Sequence, residues 1–259
     1  MKLNANKTNT HYQKIGKKGP YLILLHGWGC DWQIWHGVIV ELSKKHRLII
    51  PDLPTFGKSE EPKEVWSLKN YVDWLQEFIE LVIKDNKFIL AGHSFGGQIA
   101  SVYAARKNNS ASPRLRRASN NLEKLILVDS AGLADSLTFA KKLQTTLFGA
   151  IPEPIKHLVS NKFRRKILKL INSPTDHLDS SFYQRKVLKK VVCENIANHL
   201  INIETSTQII WGRNDDATPL HQGEKFHRLI KNSKLEIFEN SGHFPFIDEP
   251  IKFINTISK

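Results

Sequence analysis

The chain has 259 residues, of which 41% are hydrophobic and 24% are charged. A chain this apolar buries a core, which excludes an intrinsically disordered protein. Its two cysteines, Cys30 and Cys193, exclude a disulfide framework and a cysteine-rich zinc site. No apolar run approaches the roughly 20 residues of a transmembrane helix, and residues 1–18 lack the features of a secretory signal. We therefore expect a cytoplasmic protein.

The formal net charge is +13 at pH 7, and it is unevenly distributed. Residues 131–205 contain 12 Lys and Arg against 6 Asp and Glu, and residues 106–118 contain 5 basic residues and no acidic one. Basic segments of this kind are suited to binding an anionic partner, such as an acidic carrier protein or a membrane surface. A solvated cationic face is the simpler interpretation. Because no recognised nucleic-acid motif is present, we expect no specific nucleic-acid partner.

Short continuous apolar runs predict buried strands that end at turn-forming or polar residues. These runs are 21–25, 47–50, 87–91, 125–128, 208–211 and 235–238. Helical spacing of apolar residues over 68–82, with Ser67 as the N-cap, predicts an amphipathic helix between two of them. This alternation predicts an α/β fold with a mostly parallel central sheet flanked by helices, whose ligand binds beyond the carboxyl ends of the strands.

One long segment interrupts the alternation. Residues 131–205 show helix-like patterns around 139–147, 154–170 and 182–200 and no strand pattern. We therefore predict a core domain made of 1–130 and 206–259 and an inserted helical cap at 131–205. The polar, basic stretch 106–121 is predicted to be a surface loop.

Ser94 lies in a G-x-S-x-G pattern formed by Gly92 to Gly96, which follows a predicted strand and precedes a predicted helix. That context is the one a nucleophile elbow requires, because the sharp turn exposes the serine at the end of the sheet. The close approach of strand and helix predicts that only glycine fits at Gly92 and Gly96. The alternative is a chance match in a glycine-rich turn.

A serine hydroxyl needs a base, and the base needs an orienting carboxylate. His243 follows the last predicted strand and is the predicted base. Asp215, which follows the preceding strand, is the predicted acid, and the order Ser, Asp, His is the one expected for this architecture. Asp216 and Asp129, the latter also at a strand end, remain alternatives.

The oxyanion of an acyl-transfer intermediate needs hydrogen-bond donors. The predicted donors are the N–H groups of Phe95, which follows the nucleophile, and Trp28, in the His26–Gly29 turn. His26 itself is predicted to be structural. Gly27 and Phe244 are predicted to contact substrate. Further aromatic residues are candidates for an apolar pocket, although a core position is the simpler interpretation for them: Trp32, Phe56 and Phe148.

The segments 26–29, 92–97, 211–219 and 242–245, taken as a set, resemble the motifs of the α/β-hydrolase superfamily. The resemblance implies a sheet of roughly eight strands. It also implies a helical cap between the sixth and seventh strands, which matches 131–205. Thr55 departs from the pattern, because the family usually has glycine there. The long basic loop 106–121 is a second departure.

Within that superfamily the chain looks like the small carboxylesterases and lactonases. The His26–Gly29 turn together with Trp35 is similar to the pimeloyl-carrier methyl esterases. The carbon–carbon hydrolases of ring-cleavage products share the same frame. Because the elbow residue is Ser94, the resemblance disfavours haloalkane dehalogenases and epoxide hydrolases, which attack with aspartate.

These patterns predict a serine hydrolase that cleaves a small-molecule carboxylic ester of short to medium acyl length, or a lactone, through an acyl-enzyme. One alternative is a carbon–carbon bond hydrolase using the same triad. Another is a slow-turnover receptor that binds a ligand or an anionic carrier. Because neither a metal-ligand motif nor a phosphate-binding motif is present, we expect no metal and no cofactor.

Overall fold

The computed structural model describes residues 1–106, 121–133, 179–192 and 194–258. Its strands are β1 (Lys2–Ala5), β2 (Thr8–Ile15), β3 (Tyr21–Leu25), β4 (Arg47–Pro51), β5 (Phe88–His93), β6 (Leu122–Val128), β7 (Thr207–Gly212) and β8 (Ser233–Phe238). Its helices are α1 (His36–Lys45), α2 (Leu68–Ile83), α3 (Phe95–Ala105), α4 (Asp179–Val192), α5 (Ala197–Leu200), α6 (Leu220–Leu229), α7 (Pro245–Asp248) and α8 (Pro250–Ile257), and a 3-10 turn spans Trp32–Trp35.

The strands form one eight-stranded sheet in the order β1-β2-β4-β3-β5-β6-β7-β8. The six strands from β4 to β8 in this order pair in parallel. The pairs β1–β2 and β2–β4 are antiparallel. The prediction of a mostly parallel sheet flanked by helices is therefore confirmed, as is the expected number of strands.

Both faces of the sheet are covered, which explains why its strands read as continuous apolar runs. Alternate residues of β3 belong to different cores: Ile23 and Leu25 pack on the side of α2 and α3, whereas Leu22 and Leu24 pack on the side of α1 and α8. Helix α2 begins directly after Ser67, whose N–H donates to the Asn70 side chain at 2.9 Å, so the predicted N-cap position is confirmed.

The first two strands were not predicted from the sequence. They form a hairpin whose turn residues Asn6 and Lys7 both have positive φ (48° and 60°), as a tight hairpin turn requires. The buried positions of β2 include Thr8 and Thr10, so the strand lacks the apolar pattern that identifies the others. Thr10 is satisfied by the Trp74 indole, whose Nε1 donates to its hydroxyl at 2.8 Å.

The chain between β6 and β7 contains the predicted cap, and the described parts of it hold two helices, α4 and α5, and no strand. The helix-like pattern around 182–200 corresponds to these two helices, with a break at residues 194–196. There the Ile196 N–H donates to the Gly132 carbonyl at 2.9 Å and not to a carbonyl of α4, which joins the beginning of the insertion to the chain between α4 and α5. The predicted helical patterns at 139–147 and 154–170, most of the basic loop 106–121, and Phe148 lie outside the described residues.

Candidate active site

Ser94 lies at the sharp turn between β5 and α3, with φ of 51° and ψ of −115°. A non-glycine residue with positive φ is uncommon and strained, so the surrounding structure must hold it in place. A Cβ added to Gly92 would lie 2.4 Å from the Gly96 carbonyl oxygen, and one added to Gly96 would lie 2.6 Å from that of Leu25. The prediction that both positions require glycine is confirmed.

His243 and Asp215 form a buried pair at the ends of β8 and β7. Nδ1 of His243 lies 2.7 Å from Oδ2 of Asp215, and both side chains are fully buried. Since an ionised carboxylate only accepts hydrogen bonds, His243 Nδ1 is the donor and carries the proton. The neutral imidazole therefore has its lone pair on Nε2, as a general base requires.

Further donors complete the environment of Asp215. Oδ1 accepts from the N–H groups of Ala217 (2.7 Å) and Thr218 (2.9 Å), and Oδ2 accepts from the Thr218 hydroxyl at 2.6 Å. Burial alone would raise the pKa of Asp215, but His243 and the donors of Thr218 lower it below its usual value. The carboxylate is thus held ionised and in a fixed orientation beside the imidazole.

Among the described residues, Ser94 Oγ and His243 Nε2 are buried without a hydrogen-bond partner, and so are the nearby His93 Nδ1 and Asp129 Oδ2. A buried polar group without a partner is costly, so such groups concentrate at functional sites. Nucleophilic attack requires a hydroxyl oxygen such as that of Ser94, and the proton transfer that accompanies it requires a lone pair such as that on His243 Nε2.

The two alternative acids occupy different environments. Asp216 is exposed, and Asp129 is fully buried at the end of β6 with φ of 42°. Oδ1 of Asp129 accepts from the Gly212 N–H at 2.9 Å, so its carboxyl faces the start of the Asp215 turn. Burial and the neighbouring Asp215 raise the pKa of Asp129 well above its usual value. The hydrogen bond to His243 is made by Asp215, which favours the predicted acid over both alternatives.

Asp129, Asp215 and His243 also form a cluster whose ligand-type atoms lie within 4.8 Å of one another. These atoms are engaged differently from metal ligands. The proton of His243 Nδ1 lies between the imidazole and Asp215, and the Asp215 carboxylate is saturated by four donors. The cluster therefore fits a proton-transfer triad with a second acid behind it better than a metal centre.

The predicted oxyanion loop packs directly on the elbow. A Cβ added to Gly27 would lie 3.2 Å from Ser94 Cβ. The Trp28 and Phe95 rings meet edge to face with centroids 5.3 Å apart, which brings the two predicted N–H donors into adjoining segments. His26 holds this loop through its own backbone contacts: Nδ1 donates to the Gly27 carbonyl at 2.8 Å and Nε2 accepts from Leu53 N–H at 2.9 Å. His26 is structural, as predicted.

An aromatic cluster surrounds these donors. The Phe56 ring packs on Trp28 at 4.9 Å, and the Tyr71 ring packs on Phe95 at 5.1 Å. Phe244 is half-buried beside His243, with ring centroids 5.2 Å apart. Trp32 is half-buried and, like Phe244, packs against the core on the side of α1 and α8.

Helix α4 of the insertion contacts the loop that follows β4, a contact that the sequence did not reveal. Tyr183 Oη donates to the Glu64 carbonyl at 2.7 Å, and Gln184 Nε2 donates to the Thr55 carbonyl at 3.3 Å. At the other end of α4, Gln98 on α3 donates to the carbonyls of Val191 (3.2 Å) and Glu194 (3.1 Å). These bonds hold part of the insertion against the segments that carry the elbow and the Thr55 loop.

Thr218 was also missed, although a signal for it existed. A hydroxyl residue three positions after an aspartate is a common local partner for that side chain. In Asp215 to Thr218 this spacing gives the short bond to Oδ2 described above.

No helix in the described part of the chain is long and apolar enough to cross a membrane.

The sequence matches known hydrolases over nearly its whole length. A pimeloyl-acyl-carrier-protein methyl ester esterase from Legionella pneumophila is 28% identical over 263 residues, covering 97% of this chain and 98% of the relative. A monoacylglycerol lipase from Homo sapiens is 28% identical over 273 residues, covering 93% of this chain and 75% of the relative.

Solved structures give the same fold. An esterase from Exiguobacterium antarcticum superimposes with a TM-score of 0.75 at 23% identity, covering 99% of this chain and 97% of that one. A meta-cleavage product hydrolase from Pseudomonas fluorescens gives 0.75 at 24% identity (99% and 95% covered), and an enol-lactonase from Burkholderia xenovorans gives 0.75 at 19% (100% and 98% covered). A sequence profile described as the alpha/beta hydrolase family matches residues 22–256. With the match running from β3 into α8, the chain belongs to the alpha/beta hydrolase family.

Proposed function

We propose that the protein is a serine hydrolase that cleaves carboxylic esters of short to medium acyl length, or lactones. The observation that carries the proposal is the buried hydrogen bond of 2.7 Å from His243 to Asp215, which leaves the imidazole lone pair available in the same site as a strained serine. The relatives that act on esters support the choice of bond.

In the first half of the reaction, Ser94 Oγ attacks the carbonyl carbon of the ester while His243 Nε2 takes its proton. The N–H groups of Trp28 and Phe95 stabilise the negative charge that develops on the carbonyl oxygen. The carbon–oxygen bond to the alcohol then breaks, and the alcohol leaves with the proton from His243. Asp215 stabilises the imidazolium between these two proton transfers.

In the second half, His243 takes a proton from a water molecule, which attacks the acyl-enzyme carbonyl. The bond to Ser94 breaks, the proton returns to Ser94 Oγ, and the carboxylic acid leaves. For a lactone, the alcohol and the acid are parts of one product, a hydroxy acid. The aromatic rings around Trp28, Phe95 and Phe244 give the site an apolar wall suited to the hydrocarbon part of such substrates.

The test is a panel of p-nitrophenyl esters of increasing chain length, simple lactones and a ring-cleavage dienone acid, assayed with the wild type and Ser94→Ala. We expect turnover of the esters or lactones and a loss on the order of 10³–10⁶-fold in kcat for Ser94→Ala. Ser101→Ala is the matched control, because Ser101, which lies on α3, is also a buried serine whose hydroxyl has no partner among the described residues.

Each outcome decides between activities. Turnover of the dienone acid alone would replace ester hydrolysis by carbon–carbon bond hydrolysis with the same triad. Binding of these compounds without turnover would identify a receptor rather than an enzyme. Full esterase activity of purified Ser94→Ala would contradict the nucleophile.

A further inference from the structure

His93 lies between Gly92 and Ser94 at the elbow, and the mechanism above does not use it. Its side chain is fully buried, and its Nε2 lies 2.8 Å from the backbone carbonyl oxygen of His243. A carbonyl oxygen only accepts hydrogen bonds, so Nε2 carries the proton and donates it. Burial and the adjacent His243 lower the pKa of His93 well below its usual value, which keeps the ring neutral with Nδ1 unprotonated.

The His93 ring also packs against the turn that carries the base. Its centroid lies 4.7 Å from that of the His243 ring, 5.0 Å from that of Phe244 and 5.1 Å from that of Phe246. The opposite edge of the ring faces the oxyanion loop, because a Cβ added to Gly27 would lie 2.8 Å from His93 Nδ1. One imidazole therefore contacts the three turns that carry the nucleophile, the base and an oxyanion donor.

We propose that His93 is a positioning residue, which fixes the backbone of His243 relative to Ser94 through the hydrogen bond from Nε2 to the His243 carbonyl. The inference rests on the proposed function, since it concerns the base and nucleophile of that reaction. His93 does not touch the reacting atoms in this role. It sets the distance across which the proton of Ser94 moves to His243.

Other hydrogen bonds hold the same turn, but they lead elsewhere. The Gly242 N–H donates to Asp248 Oδ2 at 2.9 Å, the Ser241 hydroxyl donates to Glu249 at 2.7 Å, and the Ser241 carbonyl accepts from Asn214 N–H at 3.0 Å. These bonds join the turn to α7, α8 and the Asp215 turn. The His93 bond joins it to the elbow, where a displacement of about 1 Å is enough to reduce the rate about 10²-fold.

The test compares His93→Leu with His93→Gln, because the glutamine amide nitrogen is able to donate to the same carbonyl and leucine is not. With p-nitrophenyl butyrate we expect His93→Leu to lose about 10²-fold in kcat with little change in KM, and His93→Gln to recover most of the loss. A role in stability alone would not produce this dependence on the donor.

His46 provides the matched control. It is also buried and bonds a backbone carbonyl, that of Leu42, from Nδ1 at 3.2 Å, but at the end of α1. We expect His46→Leu to lower the thermal midpoint and leave kcat unchanged at temperatures where the protein is folded. Equal kcat losses for leucine and glutamine at His93 would overturn the inference, as would a wild-type kcat for His93→Leu.

Two further measurements keep the inference testable and separate from the proposed function. In wild-type protein with isotope-labelled histidine, the nitrogen NMR shifts of His93 should show a protonated Nε2 and a bare Nδ1, and the opposite pattern would refute the hydrogen bond even if His93→Leu does not fold. Ser94→Ala is assayed in parallel. Activity in that variant would refute the proposed function, whereas an inactive Ser94→Ala beside a fully active His93→Leu would refute the positioning role alone.

Discussion

The replacement Asp215→Asn tests the orientation of the catalytic imidazole. Oδ1 of Asp215 accepts from two backbone N–H groups, so the oxygen of an asparagine stays on that side. The amide NH₂ then faces His243 Nδ1 in place of Oδ2, across a distance of 2.7 Å in the wild type. Two donors cannot share that hydrogen bond, so the imidazole moves its proton from Nδ1 to Nε2 and loses its basic lone pair.

The magnitude follows from this change of tautomer. In serine proteases the same replacement, which leaves the histidine in the wrong tautomer, lowers kcat about 10⁴-fold, and this corresponds to about 5.5 kcal/mol in the activation free energy. Because Asp215 is fully buried behind the imidazole and does not face substrate, we expect KM to change little. Thr218 accommodates the amide by rotating its hydroxyl to accept, so the variant should remain folded.

The assay is the initial rate of p-nitrophenyl butyrate hydrolysis over a range of substrate concentrations, with Asp216→Asn as the control. Asp216 is the adjacent residue and is exposed, so the same substitution there should leave kcat unchanged. An Asp215→Asn variant that keeps more than about a tenth of the wild-type kcat would contradict this change of tautomer. Equal losses in the two variants would also refute it.

Three further predictions concern other parts of the molecule. Burial and the neighbouring Asp215 raise the folded-state pKa of Asp129 well above its usual 3.8. As pH rises from 3.8 to that higher pKa, the free energy of unfolding of the wild type should therefore fall relative to that of Asp129→Asn. Urea titrations at several pH values measure this difference, and a difference that stays constant with pH would contradict a protonated Asp129. Thr55→Gly should raise the free energy of unfolding by about 0.5–1 kcal/mol, because Thr55 has φ of 85°, a backbone conformation that glycine adopts without strain. A lower free energy of unfolding in urea would show that the contact between the Thr55 hydroxyl and Tyr71 Oη outweighs this strain. If the basic segments bind an acidic carrier, turnover of a carrier-linked ester should fall steeply with salt while p-nitrophenyl butyrate turnover stays constant, and equal salt responses would contradict this.

The sequence predicted most of the fold because five inner strands of the sheet, β3 to β7, are largely buried on both faces. A strand such as β3 has no solvent-facing side, so its residues form a continuous apolar run that is easily recognised. Strands β1 and β2 escaped prediction because β2 buries polar residues in place of an apolar run, among them Thr10, whose hydroxyl accepts from Trp74, and β1 is only four residues long. Because Thr10 and Trp74 are 64 residues apart in the sequence, neither segment contains a local pattern that predicts this hydrogen bond.

The candidate site was predictable to the extent that each residue has a local signature. Ser94 follows from the glycines that its turn requires, and Asp215 and His243 follow from their places after β7 and β8. The contacts of His93 and Gln98 could not be predicted, because their partners lie 150 and 93 or more residues away in sequence. Which buried side chain meets which carbonyl is decided by the packing of the whole sheet.

The order of the strands explains why such a bond is needed. The elbow follows β5, and the turn of His243 follows β8, three strands away in the sheet. At about 4.8 Å between neighbouring strands, their ends are about 14 Å apart, so the His243 turn must fold back over the ends of β7 and β6 to reach Ser94. The residue at the end of β6, Asp129, is thereby buried under the pair formed by Asp215 and His243, and this placement accounts for its raised pKa. A turn that folds back across three strands needs an anchor at its far end, and the donor from His93 to the His243 carbonyl supplies it at the elbow itself.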